Sequence, residues 1–118
     1  MNIENSIVFF GTEDLGLTNS FYVSLLGLKL YKDQNSCQIF LTQGGGMIGF
    51  CNHLNLNLDS QRNNSIITLL TNEVDEFYRK LRDAGVTCSE PTVSQEFKIY
   101  HFFTKDPNGY RLEIQKFL

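Results

Sequence analysis

Apolar and polar positions divide the chain into two halves with the same order of elements. In the first half, β-branched and aromatic residues at 3–10 predict a strand. Apolar residues at helical spacing from Leu17 to Leu28 predict a helix, with Asp14 as its N-terminal cap and Gly27 as its stop. Strand-like runs separated by turn residues follow at 28–33, 36–42 and 47–52.

The second half repeats this order. A polar, asparagine-rich stretch at 53–64 leads to a predicted strand at 66–70, and Asn72 is placed to cap a helix that ends at Gly85. The helix has an apolar stripe, which packs it onto a sheet: Val74, Phe77, Tyr78 and Leu81. Further strands are predicted near 86–89, 98–104 and 110–117. The last two form a hairpin, because Asp106-Pro107-Asn108-Gly109 suits a tight reversal.

The two halves also resemble each other in sequence. Asn5-Ser6-Ile7-Val8 matches Asn64-Ser65-Ile66-Ile67, and Phe21-Tyr22 matches Phe77-Tyr78. A unit of this size cannot bury both faces of its sheet alone, so two units must pack together. We therefore predict an α+β fold in which two βαβββ modules form a cupped mixed sheet, a natural site for a small molecule. It is a single domain over 1–118, with modules at about 1–52 and 64–118 joined by 53–63.

Composition excludes several classes of function. The 118 residues are 42% hydrophobic and 19% charged, which is ordinary for a folded domain and wrong for a disordered chain. A bilayer span needs about 20 consecutive apolar residues, and no such run occurs, so no membrane association is expected. The net charge of −3, with scattered Lys and Arg, argues against a nucleic-acid partner.

The cysteines indicate the cellular compartment. Cys37, Cys51 and Cys88 are an odd number and lack metal-type spacing. This pattern predicts reduced thiols and a cytoplasmic protein rather than a disulfide framework.

Two motifs resemble the vicinal oxygen chelate superfamily, which includes glyoxalase I, bleomycin-resistance proteins, fosfomycin-resistance enzymes and extradiol dioxygenases. The first is Asp14-Leu15 followed by Phe21-Tyr22 and Leu26-Gly27-Leu28; the second is the closing stretch from Asp106 to Glu113. The resemblance implies paired βαβββ modules, a homodimer and one cavity per cup. It does not imply one reaction, because the fold supports enzymes and pure binders alike.

The resemblance also implies where a divalent metal ion would bind: through His or Gln on the first strand of each half and Glu on the last. Here these positions fall on Ile7, Ile66, Gly49 and Glu113. Of these four positions, only Glu113 carries a side chain that can bind a metal ion. One carboxylate alone cannot compete with water for a catalytic ion. We therefore expect no metal cofactor, and the alternative is a divalent ion held by Glu113 with displaced ligands.

Alternation along the strands nominates the side chains that face the predicted cavity. Counting from the ligand positions selects nine residues: Ile7, Phe9, Gly49, Cys51, Ile66, Thr68, Arg111, Glu113 and Gln115. The resemblance adds His101 and Phe103, and Phe50 is a further candidate for a stacking wall. The prediction is an apolar, aromatic pocket for a small organic molecule, with Glu113, Arg111 and His101 as polar anchors.

Several of these residues have a simpler interpretation. Glu113 is equally suited to pair with Arg111 or another cation at the edge of the sheet, and a histidine such as His101 is common in cores and dimer interfaces. Cys51 and His53 form a Cys-x-His pair, which is a possible nucleophile or ligand fragment but most often a coincidence.

Three functions follow, and whether the chain is an enzyme stays open, with the replaced ligand positions favouring a non-enzyme. The first is a metal-independent binding module that sequesters or senses a small molecule. The second is a divergent metal-dependent lyase or dioxygenase that uses Glu113 with His101 or His53. The third is a dimeric scaffold without a ligand, expected if Phe9, Phe50 and Phe103 fill the cup.

Overall fold

Each half of the chain forms the predicted order of one strand, one helix and three strands. The computed structural model describes residues 1–54 and 64–118, so the predicted connection 53–63 lies mostly outside the described residues. The first half contains β1 (Ile7–Gly11), α1 (Leu15–Asn19), β2 (Lys29–Asp33), β3 (Cys37–Leu41) and β4 (Met47–Cys51). The second contains β5 (Ile66–Leu70), α2 (Val74–Asp83), β6 (Thr92–Ser94), β7 (Ile99–Lys105) and β8 (Arg111–Phe117). The α+β class and the two βαβββ modules are confirmed.

The chain divides into two compact units, Met1–Leu58 and Asp59–Leu118, each with its own four-stranded mixed sheet. The strand order is β1-β4-β3-β2 in the first unit and β5-β8-β7-β6 in the second. In both units the first and last strands pair in parallel and the remaining pairs are antiparallel. Because β8 lies between β5 and β7, Glu113 sits on an inner strand and not at an edge.

The first helix begins as the sequence predicts and then changes its winding. The Asp14 carboxylate accepts a hydrogen bond from the Leu17 N–H, which satisfies one of the free donors at the helix start. After Asn19 the chain continues as a π-helix over Ser20–Leu25. It ends at Gly27, whose φ of 76° favours glycine.

An aromatic cluster forms the core between this helical segment and the first sheet. The Tyr22 ring stacks on Phe40 at a centroid distance of 5.6 Å and lies 4.9 Å from Phe50. All three side chains are fully buried. The Phe21-Tyr22 pair therefore lies on the side of the helical segment that packs onto the sheet.

The second helix packs its apolar face onto β7 and β8. Val74 and Leu81 are buried, and the Tyr78 ring meets the edge of Phe102 at 5.6 Å. The predicted cap at Asn72 is wrong: the N-cap residue is Glu73, and its N–H donates a hydrogen bond to the Thr71 hydroxyl. Neither helix in the described part of the chain combines the length and the apolar character that crossing a membrane requires.

Asp75 of α2 accepts a hydrogen bond from the Tyr100 hydroxyl of β7. This hydrogen bond to a carboxylate raises the pKa of Tyr100, because it stabilises the neutral phenol. The contact ties the first turn of the helix to the sheet at its surface.

The strand predicted at 86–89 is wrong. Cys88 makes only an isolated bridge to Thr104, and the regular strand β6 forms later, at Thr92–Ser94. Side chains take over part of the pairing here, since the Thr104 hydroxyl donates to the Thr87 carbonyl and the Ser89 hydroxyl accepts from the Phe103 N–H. Such side-chain bonds compete with a regular ladder.

The turn between β7 and β8 is confirmed. One carboxylate oxygen of Asp106 accepts hydrogen bonds from the N–H groups of Asn108 and Tyr110, both at 2.9 Å. Gly109 has a φ of 89°, which a side chain would strain. The turn therefore fixes the register of β8 and with it the position of Glu113.

Candidate functional site

A hydrogen-bonded polar cluster surrounds Glu113 in the second unit. The Thr68 hydroxyl donates to Oε1 of Glu113 at 2.9 Å, and Nδ1 of His101 lies 2.6 Å from Oε2. The side chains of His101 and Glu113 are only 12% and 11% exposed. A carboxylate so far from water requires partners, and the cluster supplies them.

Strand register brings these residues together. Thr68 lies directly opposite Glu113 on the parallel neighbour β5, and Phe103 lies opposite it on the antiparallel neighbour β7. His101 is two residues from Phe103 and therefore points to the same side of the sheet. The His101 and Phe103 rings meet edge to face at 5.0 Å.

These residues lie on the side of the second sheet that faces away from α2. Phe102, Leu112 and Ile114 point toward the helix and are buried in the core. We call the opposite side the Glu113 face, and it carries Ile66, Thr68, His101, Phe103, Arg111 and Glu113. Sequence alternation nominated Ile66, Thr68, Arg111 and Glu113 for the cavity, and the superfamily resemblance nominated His101 and Phe103.

The bond to Glu113 determines the proton arrangement of His101. An ionised carboxylate only accepts hydrogen bonds, so Nδ1 of His101 carries the proton and donates it. In a neutral imidazole the remaining nitrogen, Nε2, is then an acceptor. A neutral ring can therefore receive a hydrogen bond from a bound molecule through Nε2, whereas a protonated ring would donate one, and Glu113 holds the ring in place in both cases.

Apolar surface adjoins this cluster. Ile66 is 43% exposed on the edge strand β5, and Phe103 is 41% exposed on the inner strand β7, where a large exposed side chain is unusual. A separate depression of about 260 Å³ lies farther along β5 and β8, and none of the six residues of the Glu113 face lines it; its lining residues are Leu70, Thr71, Asn72, Gln115, Lys116 and Phe117. The Glu113 face therefore combines an apolar surface with a few fixed polar groups, as small-molecule sites do.

Arg111 adds a buried donor to the Glu113 face. Its Nε atom is shielded from solvent and makes no hydrogen bond within residues 1–54 and 64–118. Glu113 lies on an inner strand and bonds to His101, so the edge position of the simpler interpretation is wrong.

The equivalent position in the first unit is closed by an aromatic ring. Gly49 lies opposite Phe9 in the register in which Glu113 lies opposite Thr68. A Cβ atom on Gly49 would come within 2.4 Å of the Phe9 ring, so the absence of a side chain allows the ring to lie over the strand. Phe9 is 43% exposed and Ile7 is half-buried on the same side of β1.

The prediction for Phe50 is wrong. Phe50 is fully buried on the helix side, against Tyr22 and Phe40, and is one residue out of phase with Gly49. Because side chains alternate along a strand, Phe50 cannot share a face with Phe9.

We expect Gly49→Ala to destabilise the protein by about 1–3 kcal/mol, because the new methyl group forces the Phe9 ring out of its place. Chemical denaturation followed by circular dichroism measures the change. Gly44→Ala is the matched control, since in the described part of the chain no atom beyond its two neighbours lies within 4 Å of a Cβ there. If adding Phe9→Ala did not relieve the cost of Gly49→Ala, the proposed clash would be refuted.

The residues do not fit a metal centre of the superfamily type. Ile7 and Ile66 have no lone pair to donate, and the Phe9 ring occupies the space beside Gly49. In the described part of the second unit, no further His, Cys, Asp or Glu joins His101 and Glu113 to make a three-ligand group. Two donors already bonded to each other form a poor cation site.

The cysteines differ from the prediction. Cys37 and Cys51 form a disulfide between β3 and β4, so the expected set of reduced thiols is wrong for this pair. Counting outward from the turn at 43–45, which the hydrogen bond from the Thr42 N–H to the Gly46 carbonyl closes, pairs Cys37 with Cys51. Cys88 is the free cysteine of the described residues, and burial raises the pKa of its thiol, which makes it a weak nucleophile.

Comparison with solved structures shows the same fold across the chain. The antibiotic-binding protein TnmS3 from a Streptomyces species has a TM-score of 0.83 at 16% identity, covering 99% of this chain and 98% of that one. A bleomycin resistance determinant encoded on the transposon Tn5 has a TM-score of 0.73 at 21% identity, covering 98% of both chains. A hypothetical protein of S. aureus has a TM-score of 0.77 at 25% identity, covering 98% and 95%.

Sequence comparison identifies the family. Among curated protein sequences, none matches this chain. The sequence model of the Glyoxalase/Bleomycin resistance protein/Dioxygenase superfamily matches residues 6–114, nearly the whole chain. The chain therefore belongs to the glyoxalase/bleomycin resistance protein/dioxygenase superfamily.

Proposed function

We propose that this protein is a small-molecule binding module that sequesters or senses an organic compound on the Glu113 face without a metal ion. The observation that carries the proposal is the Thr68–Glu113–His101 cluster beside the exposed side chains of Ile66 and Phe103. The apolar side chains would bind the body of the compound, and the polar cluster would orient it.

The chemistry of the face favours a partly aromatic compound. The Phe103 ring is exposed and is held edge to face by His101, so little side-chain entropy is lost when it stacks on another ring. Nε2 of His101 would accept a hydrogen bond from the compound, and the buried Nε of Arg111 would donate one. A hydroxyl-bearing or amino-bearing aromatic molecule meets these requirements.

Two structural relatives support a binding role. TnmS3 is described as an antibiotic-binding protein, and the Tn5 protein as a bleomycin resistance determinant. Both share the fold over almost the full chain. Homodimerisation and a cytoplasmic location stay predictions from the sequence and the resemblance.

Thermal unfolding of the protein with its disulfide intact tests the proposal. The probes are bleomycin, the aromatic dye anilinonaphthalene sulfonate, and the ions Mn²⁺, Ni²⁺ and Zn²⁺. We expect an organic probe to raise the melting temperature, since a ligand of the native state stabilises it. Phe103→Ala should weaken binding of that probe about tenfold, as loss of an aromatic anchor commonly does.

Phe97→Ala is the matched control, because Phe97 is an exposed phenylalanine in the turn before β7. Equal losses in the two variants would move the site away from the Glu113 face. A stoichiometric divalent ion in the disulfide-bonded protein, removed only by a chelator, would favour a divergent metalloenzyme. No response to either organic probe would favour the scaffold and contradict the proposal.

A further inference from the structure

We propose that Cys37, Cys51 and His53 form a redox-controlled site for a thiophilic metal ion such as Zn²⁺. The disulfide closes the site, and reduction opens it. The site lies in the first unit and uses none of the residues of the Glu113 face, so it is independent of the proposed binding function.

The β3–β4 hairpin places the three donors together. Cys37 and Cys51 are direct partners in its antiparallel register, with Cα atoms 4.1 Å apart. His53 follows two residues after Cys51, in a turn held by the hydrogen bond from the Asn52 N–H to the Ser36 carbonyl. All three donor atoms lie within 4.8 Å of one another.

The distances suit tetrahedral coordination. Bonds of about 2.3 Å from Zn²⁺ to sulfur and about 2.0 Å to nitrogen put neighbouring sulfur and nitrogen ligands about 3.5 Å apart. Nδ1 of His53 lies 3.8 Å from Sγ of Cys37 in the structure. Nδ1 of His53 and Sγ of Cys37 are therefore already about as far apart as two ligands of one zinc ion. A rotation of the reduced cysteine side chains would bring all three donors around the ion.

Reduction of the disulfide consumes two electrons and two protons, and metal uptake releases the two protons. A cellular dithiol attacks the Cys37–Cys51 bond through its thiolate, and its second thiol then closes to a disulfide. Two electrons pass to the cysteine sulfurs, which gain two protons and become thiols. Zn²⁺ then binds both sulfurs and releases those two protons to solvent.

Charge and burial favour this metal class. Cys37 and Cys51 are 8% and 3% exposed, and two thiolates with one divalent cation form a neutral group that such a place tolerates. His53 is exposed and provides the route from solvent. Two sulfurs and one imidazole select Zn²⁺ or Cu⁺ over Mg²⁺ and Ca²⁺, and leave the fourth position to water or another small ligand.

The test compares Zn²⁺ uptake by the full chain before and after reduction with a dithiol, which is removed under anaerobic conditions. Competition with a chromophoric chelator measures the affinity, and Co²⁺ reports thiolate ligation through its charge-transfer band. We expect one ion per reduced chain and at least about a hundredfold weaker binding by the disulfide form. The melting temperature of the reduced chain should rise when Zn²⁺ is added.

Three variants assign the donors. Cys37→Ser should abolish uptake, and Cys88→Ser should leave it unchanged, because Cys88 lies outside the cluster. His53→Ala should bind Zn²⁺ at least about tenfold more weakly, since even changes behind the ligands cost that much. Because His53 is exposed, this variant tests the site if Cys37→Ser does not fold.

Equal affinity of His53→Ala and the unaltered chain would overturn the three-donor site. No uptake by the reduced chain beyond that of Cys37→Ser would overturn the proposal as a whole. Neither result bears on the bleomycin and dye measurements, which use the disulfide form.

Discussion

Phe102→Ala is expected to lower the free energy of unfolding by about 3–5 kcal/mol, the usual cost of removing a buried aromatic ring. Phe102 is fully buried and lies opposite Ile114 in the β7–β8 pair. Its ring also meets Tyr78 of α2, so the substitution leaves a cavity between the helix and both inner strands. The melting temperature should fall by more than about 10 °C.

Chemical denaturation with far-ultraviolet circular dichroism measures this loss. Phe97→Ala provides the control, because Phe97 is 67% exposed and its removal should change stability by less than about 0.5 kcal/mol. If Phe102→Ala does not fold, Phe102→Leu should still show a loss of about 1 kcal/mol. A Phe102→Ala protein as stable as the Phe97→Ala protein would contradict the packing described here.

His101→Ala is expected to lower the free energy of unfolding by about 2–3 kcal/mol. The reason is the buried Glu113 carboxylate, which, among the described residues, would keep only the hydrogen bond from Thr68. Hydrogen bonds to charged groups contribute about 1.5–3 kcal/mol, and leaving such a group unpaired adds its desolvation cost. Thr68→Val removes the other bond and should cost about 1 kcal/mol.

A double-mutant cycle isolates the interaction between the two residues. Once Glu113→Gln has removed the charge, His101→Ala should cost less than it does alone, by about 1–2 kcal/mol. His53→Ala serves as the control for replacing an exposed histidine. Additive effects of the His101 and Glu113 substitutions, within about 0.5 kcal/mol, would show that the pair does not act as a unit.

The two units have kept the same register but not the same chemistry. The Phe9–Gly49 pair of the first unit corresponds to the Thr68–Glu113 pair of the second. Likewise, the Cys37–Cys51 pair occupies the register of the His101–Gln115 pair. Duplicated positions have thus become an aromatic cover and a disulfide in one unit and a polar cluster in the other. This divergence is why the internal repeat predicts the fold much better than it predicts the site.

Local features of the sequence were sufficient for most of the fold. The cap at Asp14, the stop at Gly27 and the turn at Asp106–Gly109 depend on interactions within a few residues, and all three formed as predicted. Local rules failed where a distant partner decides the outcome. The strand predicted at 86–89 lost its place to Thr92–Ser94, because pairing with β7 determines which segment becomes the edge strand.

The candidate site, like the fold, has a part that the sequence predicted and a part that it did not. Alternation along the sequence was enough to place Thr68, Arg111 and Glu113 on the face of the sheet that points away from the helix, because side chains along a strand alternate with a period of two residues. Only the tertiary structure decided that His101 would be the partner of Glu113, that a ring would cover Gly49 and that Phe50 would belong to the core. Each of these facts depends on which strands lie side by side and in which register. Pairing between strands joins residues that are far apart in sequence, so no local pattern records it.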